Sequence, residues 1–231
     1  MKNMDKIIKL GKPEITIIVN NSIRAKNYSI RILNSDNSVK LTIPPNGSFH
    51  EALAFIRLRE TWIREKLSNR LPDISPKYGG EILFKGQKLI INMSNDKKTY
   101  IDNDQLYLNV KTDQLSGKLK AFLMNKARDR LAFVSNDYSS VIGKTFEKLT
   151  LRDTKTRWGS CSSNGNLMYS WRLIMAPPKV LNYVAAHEVS HLLHLNHSTN
   201  FWDTVSYLMP DFRDHKDWLR KNGQLLHRYK F

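Results

Sequence analysis

The sequence predicts an α+β protein: a strand-rich N-terminal part, then a C-terminal part with a small sheet and a histidine-bearing helix. Three observations predict it. Short β-branched runs between Asn, Ser and Gly turns recur through the first 110 residues. Two segments carry apolar residues at helical spacing. Near the C-terminus, His187-Glu188-Val189-Ser190-His191 lies in a further helical pattern.

The N-terminal elements come first. Segments 14–20, 28–33 and 39–43 read as strands, the last two with one polar and one apolar face. Pro44-Pro45-Asn46-Gly47 ends the last of them. Ser48 and Glu51 then form an S-x-x-E capping box. Ala52, Ile56, Trp62, Ile63 and Leu67 carry the helix to about residue 69. Segment 71–80, with two prolines and two glycines, is the candidate boundary, which places an N-terminal part at 1–75 and the remainder at 76–231.

Beyond it, strand-like runs at 81–84, 87–93, 98–101 and 105–110 precede a helix over about 116–135, with Leu119, Phe122, Leu123, Ala127 and Leu131 on one side. A strand at 148–153, a turn at Asn164-Gly165-Asn166 and a strand through Leu167–Met175 read as a hairpin or meander. Pro177-Pro178 ends the strand and suits the first turn of a helix over 178–194. Ser198 and Asp211 are candidate caps of two last helices, the second closed by Gly223. No internal repeat is visible.

Composition narrows the class. At 41% hydrophobic and 25% charged, the 231 residues are those of a folded domain. No apolar run approaches the roughly 20 residues that span a bilayer, and no signal peptide is read at the start. The single cysteine, Cys161, excludes an internal disulfide and fits a reducing compartment, so the expected location is cytoplasmic, with no membrane partner. The 37 Lys+Arg against 21 Asp+Glu give a net charge of +16, spread along the chain. Such a surface attracts nucleic acid or other anions, and a solvated lysine-rich surface accounts for it equally well.

The chemistry lies in His187-Glu188-Val189-Ser190-His191-Leu192-Leu193-His194-Leu195-Asn196-His197. Residues four apart share a helix face, so His187 and His191 can reach one Zn²⁺, and Glu188 can act as general base on a water there. A catalytic zinc needs three protein ligands and an open position. His197 is favoured as the third ligand. It lies six residues after His191, an offset at which related patterns place a glycine midway so that the chain can turn back. Here that position is His194, and Asn196 tolerates a left-handed turn better. His194 is the competing ligand. Asp203 and Asp214 are candidates to orient a histidine, although a surface role suits either. A strand before the zinc helix can offer its edge to an extended peptide. Arg157, Trp158, Ser160 and Arg172 are the candidate substrate contacts, with a core role open for Trp158 and a close backbone approach for Gly159.

The stretch from Lys155-Thr156-Arg157-Trp158-Gly159-Ser160-Cys161 through the zinc helix to Trp202, with Glu60-Thr61-Trp62-Ile63-Arg64 upstream, resembles the YgjP-like family of zinc metallopeptidases. That family is similar in its zinc helix to SprT-like and minimal gluzincin hydrolases. The resemblance covers roughly residues 24–222 and implies a zincin-like metal-dependent hydrolase domain. It implies one zinc ion on His187, His191 and His197, with Glu188 as general base. It also implies that Arg157–Cys161 form a strand beside the site, with Cys161 structural. Ser170 stands where the family usually has Asn, so any bond of that amide is lost or only partly replaced.

The expected activity is zinc-dependent hydrolysis of a peptide or small anionic substrate. Two alternatives stay open on the sequence: a nucleotide or phosphoanhydride hydrolase, and a DNA-associated protein whose zinc is structural. Neither the substrate nor the oligomeric state is legible.

Overall fold

The computed structural model describes residues 6–33, 38–68 and 71–231. The chain divides into two compact units, Met1–Leu71 and Pro72–Phe231. No helix among the described residues is long and apolar enough to cross a membrane.

In the first unit, β1 (Lys6–Leu10), β2 (Ile15–Asn21), β3 (Ser29–Ile32) and β4 (Val39–Ile43) form a sheet in the order β1-β2-β4-β3. β1 and β2 pair antiparallel, β2 and β4 parallel, β3 and β4 antiparallel. Alternation places Ile15, Ile17, Val19, Val39, Leu41 and Ile43 on the buried face. Helix α1 (Phe49–Leu58) starts with the expected box: Glu51 N–H donates to Ser48 Oγ, and Ser48 N–H donates to the Glu51 carboxylate. The single helix expected from 48 to 69 breaks at Arg59, and α2 (Glu60–Ser68) follows. The break keeps Ile63 fully buried and leaves Trp62 exposed, so Trp62 is not the core residue its spacing suggested. Asn69 lies outside the described residues. Strand β1 escaped the sequence reading because Ile7 points outward and blurs its alternation.

The second unit opens with β5 (Glu81–Phe84), β6 (Gln87–Met93), β7 (Tyr100–Asp102) and β8 (Gln105–Leu108). Their order is β5-β6-β8-β7, again antiparallel, parallel, antiparallel. The topology of the first sheet is thus repeated, followed in each case by a helix. The repeat is one of pairing and not of residues, which is why the sequence hides it. The turn between β5 and β6 needs positive φ at both Lys85 and Gly86, the geometry that suits tight hairpins.

Helix α3 (Leu115–Val141) runs one turn and a half beyond the expected end. Its extension stays anchored, since Val134, Ser135 and Ser139 are buried and the Ser135 hydroxyl lies 3.0 Å from Tyr169 Oη. A third sheet holds β9 (Lys148–Arg152), β10 (Gly159–Cys161) and β11 (Asn166–Ser170), ordered β10-β11-β9. β10 and β11 are the predicted hairpin, but β9 runs parallel to β11, so the three are no meander. The strand expected to Met175 stops at Ser170, and Trp171–Met175 winds into a buried 3-10 turn. Helices α4 (Pro178–Ser190), α5 (Thr199–Leu208) and α6 (Phe212–Leu226) complete the unit. Neither Ser198 nor Asp211 caps through its side chain. Gly223 lies inside α6, not at its end: a Cβ there would come 2.9 Å from Trp158 Cζ2.

Two devices close this unit. Arg172 donates from Nε and Nη2 to Asp153 (2.6 and 3.1 Å) and from Nη1 to the carbonyls of Leu226 and Tyr229 (2.8 and 3.0 Å). The C-terminal residues also pair with the start of the unit: Ile74 N–H donates to Arg228 O at 2.8 Å, and Lys230 N–H to Ile74 O at 2.9 Å. Helix α4 lies deep in the core, with Val180, Leu181, Val184, Ala185, Ala186 and Val189 all buried. Each such valine or leucine contributes about 1.5–3 kcal/mol. The helix that carries the histidines is therefore rigidly held.

Candidate metal centre

Pro178 in its first turn starts α4, and the helix places His187 and Glu188 one after the other near its end. The regular helix stops at Ser190, short of the expected 194. Ser190 turns its hydroxyl back onto Ala186 O at 2.7 Å, and tighter turns follow, with Leu192 N–H on Val189 O and Leu193 N–H on Ser190 O. No residue between 190 and 198 takes a positive φ, so the left-handed turn expected near Asn196 is not used. The chain returns through successive tight turns instead and delivers His197 opposite His187.

The result is a convergence of His187, His191 and His197, with one ring nitrogen of each within 4.8 Å of the others. His187 Nε2 and His197 Nε2 are 3.1 Å apart. Phe201, fully buried, lies under all three rings, with centroids 4.5–4.9 Å away. Trp202 stacks on His197 and meets His187 edge-on. Tyr183, one turn before His187 in α4, packs edge-on against it.

The donor set fits a metal ion. Burial first, then the two neighbouring imidazoles, pushes His187 down to about 3, so it is neutral and offers a lone pair. Burial lowers His191 as well. His191 Nδ1 lies 2.8 Å from His194 O, an N–H donation that leaves Nε2 free as a ligand. His194, the competing ligand, contributes that carbonyl, and its side chain is not in the cluster. His187 Nδ1 is buried without a hydrogen-bond partner, so neither Asp203 nor Asp214 orients it.

Glu188 is 5% exposed and reaches toward β10. Its side chain fills the space a residue at 159 would need: a Cβ on Gly159 would lie 2.5 Å from Glu188 Oε1 and 2.6 Å from Cγ. Burial pushes the carboxyl up to about 8, opposed by the Arg157 charge and a hydrogen bond from the Cys161 backbone. A buried carboxyl that holds its proton more tightly than usual thus follows His187 in the helix.

The other predicted contacts take different places. Arg157 is exposed and acts on Glu188. Ser160 lies on β10, paired with Met168. Trp158 stacks on His227 at 4.8 Å and packs against Gly223, a structural position. Arg172 departs from the sequence expectation of a substrate contact, because it is 6% exposed and its donors are spent on Asp153 and two carbonyls. Cys161 is held as a neutral thiol, pushed up to about 11 by burial. Ser170 Oγ, at the position of the family's usual Asn, is buried without a partner.

Three features at the site escaped the sequence reading. Phe201, under the three rings, lies outside the histidine motif and carries no metal-ligand signal. The Cys161 main-chain donor carries no side-chain signal. Lys216, whose Nζ lies 4.0 Å over the Trp202 ring and whose charge acts on His187, comes from α6 and has no spacing relation to the motif.

A mixed α+β unit gathers three imidazoles that could hold a metal ion, and a buried carboxyl follows the first of them in the chain. The chain belongs to the YgjP-like family, whose metallopeptidase domain matches residues 26–222. No curated protein matches. Among solved structures, the metallopeptidase zymogen abylysin of Pyrococcus abyssi is similar at 19% identity, covering 41% of this chain and 94% of that one, with a TM-score of 0.37.

Proposed function

We propose that the protein is a zinc-dependent metallopeptidase. The convergence of His187, His191 and His197 beside the buried carboxyl of Glu188 carries this reading. The three imidazoles would hold one zinc ion, leaving a coordination position open for substrate. When bound, zinc supplies Lewis acidity, which polarises a carbonyl and acidifies water.

The chain's own residues do the rest. Glu188 accepts the proton of the attacking water and returns it to the leaving amine. The Cys161 N–H and the absent side chain of Gly159 fix the carboxylate in place. β10 is the outer strand of its sheet, so its free edge offers main-chain donors and acceptors to an extended peptide, with Arg157 and Ser160 beside it. Trp158 anchors that strand to α6 through His227 and Gly223.

The test uses zinc-loaded protein on a panel of fluorogenic peptides and, in parallel, nucleoside triphosphates. Peptide cleavage that Glu188→Gln abolishes with zinc retained is the expected result. Hydrolysis confined to the triphosphates would overturn the assignment.

A further inference from the structure

A metal-ligating histidine usually donates its second ring N–H to a carboxylate or carbonyl, which fixes the plane of the ring. Of the three histidines in the cluster, His191 has such a partner in the His194 carbonyl at 2.8 Å. His187 Nδ1 is buried with no hydrogen-bond partner among the described residues. His197 lies 3.1 Å from His187 Nε2 and makes no hydrogen bond to a carbonyl or carboxylate among the described residues. Two of the three rings thus lack the usual orienting bond.

Aromatic rings meet both of them. Phe201, fully buried, stands nearly perpendicular to His187 (4.9 Å between centroids, 77°) and to His197 (4.8 Å, 80°). It is tilted only 30° from His191 at 4.5 Å. Trp202 lies 28° from the plane of His197 at 5.9 Å and meets His187 at 61° and 5.8 Å. Edge-to-face and offset-stacked pairs at about 4.5–7 Å are the arrangements aromatic rings prefer. Trp202 is itself fixed: its N–H donates to Ser198 O at 3.2 Å, and its ring stacks on Phe212 (5.6 Å, 18°) with Lys216 Nζ 4.0 Å over it. Among the described residues, Phe201 alone outside the cluster makes a ring contact with all three imidazoles, and Trp202 meets two. Tyr183 meets one, and Phe212, the next ring outward, meets none.

We propose that Phe201 and Trp202 are positioning residues of the metal centre, their rings setting the planes of His187 and His197 as the His194 carbonyl does for His191. This rests on the metal-binding reading of the three histidines above. An aliphatic side chain could fill much of the same space, but it has no flat face to define a ring plane. The metal affinity of the site is then governed in part by two side chains that donate nothing to the ion.

The experiment measures zinc affinity of the full-length protein by chelator competition, together with the visible spectrum of the cobalt-loaded protein. Phe201→Leu and Trp202→Leu should each lower the affinity by about 10-fold or more, the scale on which the orienting partner of a ligand histidine acts. Both should also alter the cobalt bands. Trp202→Phe keeps a flat face and should retain the affinity and spectrum of the parent. Phe84→Leu is the control for lost packing, since Phe84 is a buried ring whose aromatic contact is Phe122 and not an imidazole. It should lower the urea midpoint of the metal-free protein, as Phe201→Leu does, with zinc affinity unchanged. Unchanged affinity in Phe201→Leu, an equal fall in Phe84→Leu, or an equal fall in Trp202→Phe and Trp202→Leu would overturn the positioning role and leave the metal site standing. Failure of the parent to bind zinc would remove both.

Discussion

The carboxyl of Glu188 occupies the space where a side chain at position 159 would stand, with a Cβ there only 2.5 Å from Oε1. The glycine of the Arg-Trp-Gly-Ser-Cys segment is thus required by a residue on another element. Because Glu188 is buried and its Cγ is equally close, a substitution cannot be absorbed by a swing of the carboxyl into solvent. Gly159→Ala should lower kcat about 100-fold, the scale on which an ångström-sized misplacement acts, with zinc content and far-UV circular dichroism retained.

Metal content should divide the four histidines of the segment. His187→Ala, His191→Ala and His197→Ala should each lose zinc in a chelator competition, with affinity falling 100-fold or more. His194→Ala should retain it, since His194 serves through its carbonyl at 2.8 Å from His191 Nδ1. Loss of zinc in His194→Ala, with retention in His197→Ala, would reassign the third ligand.

The fold and the cluster were legible in the sequence to different degrees. The four-residue spacing of His187 and His191 is local, as is the Ser48–Glu51 box, and both need only the period of a helix. The return of His197 was also legible, but its route was not, because tight turns without any left-handed residue leave no glycine or asparagine signal. Arg172 misled because an arginine beside a strand motif looks the same in sequence whether it meets substrate or closes a core. Its partners Leu226 and Tyr229 lie more than fifty residues away. Lys216 comes to the site from a separate helix, with no spacing relation to the histidines.

Removing Arg172 should therefore be a matter of stability. Arg172→Met leaves two buried carbonyls without their donor and Asp153 without its counter-ion. A loss of about 3 kcal/mol is expected, read from urea denaturation. Peptidase activity per folded molecule at low temperature should persist.

His227 gives a pH dependence of known sign. Burial, reinforced by the Arg172 charge, pushes it down to about 4. Its ordinary value is about 6.5, so between these limits the unfolded chain binds a proton that the folded chain does not. The stabilising contribution is complete above pH 6.5 and is lost as the pH falls toward 4. The melting temperature of the parent should therefore fall relative to that of His227→Phe across this window. A constant gap between the two would show that His227 does not titrate as its burial requires.

The pairing of Ile74 with Arg228 and Lys230 brings the first and last residues of the second unit side by side. Topologically that unit is a ring interrupted at one point. Joining residue 231 to residue 72 through a short Gly-Ser bridge, and reopening the chain in an exposed turn such as Asp96–Lys98, should preserve every contact around the histidines. The order in which the catalytic segments are strung along the polypeptide is then free to change while their arrangement in space is not.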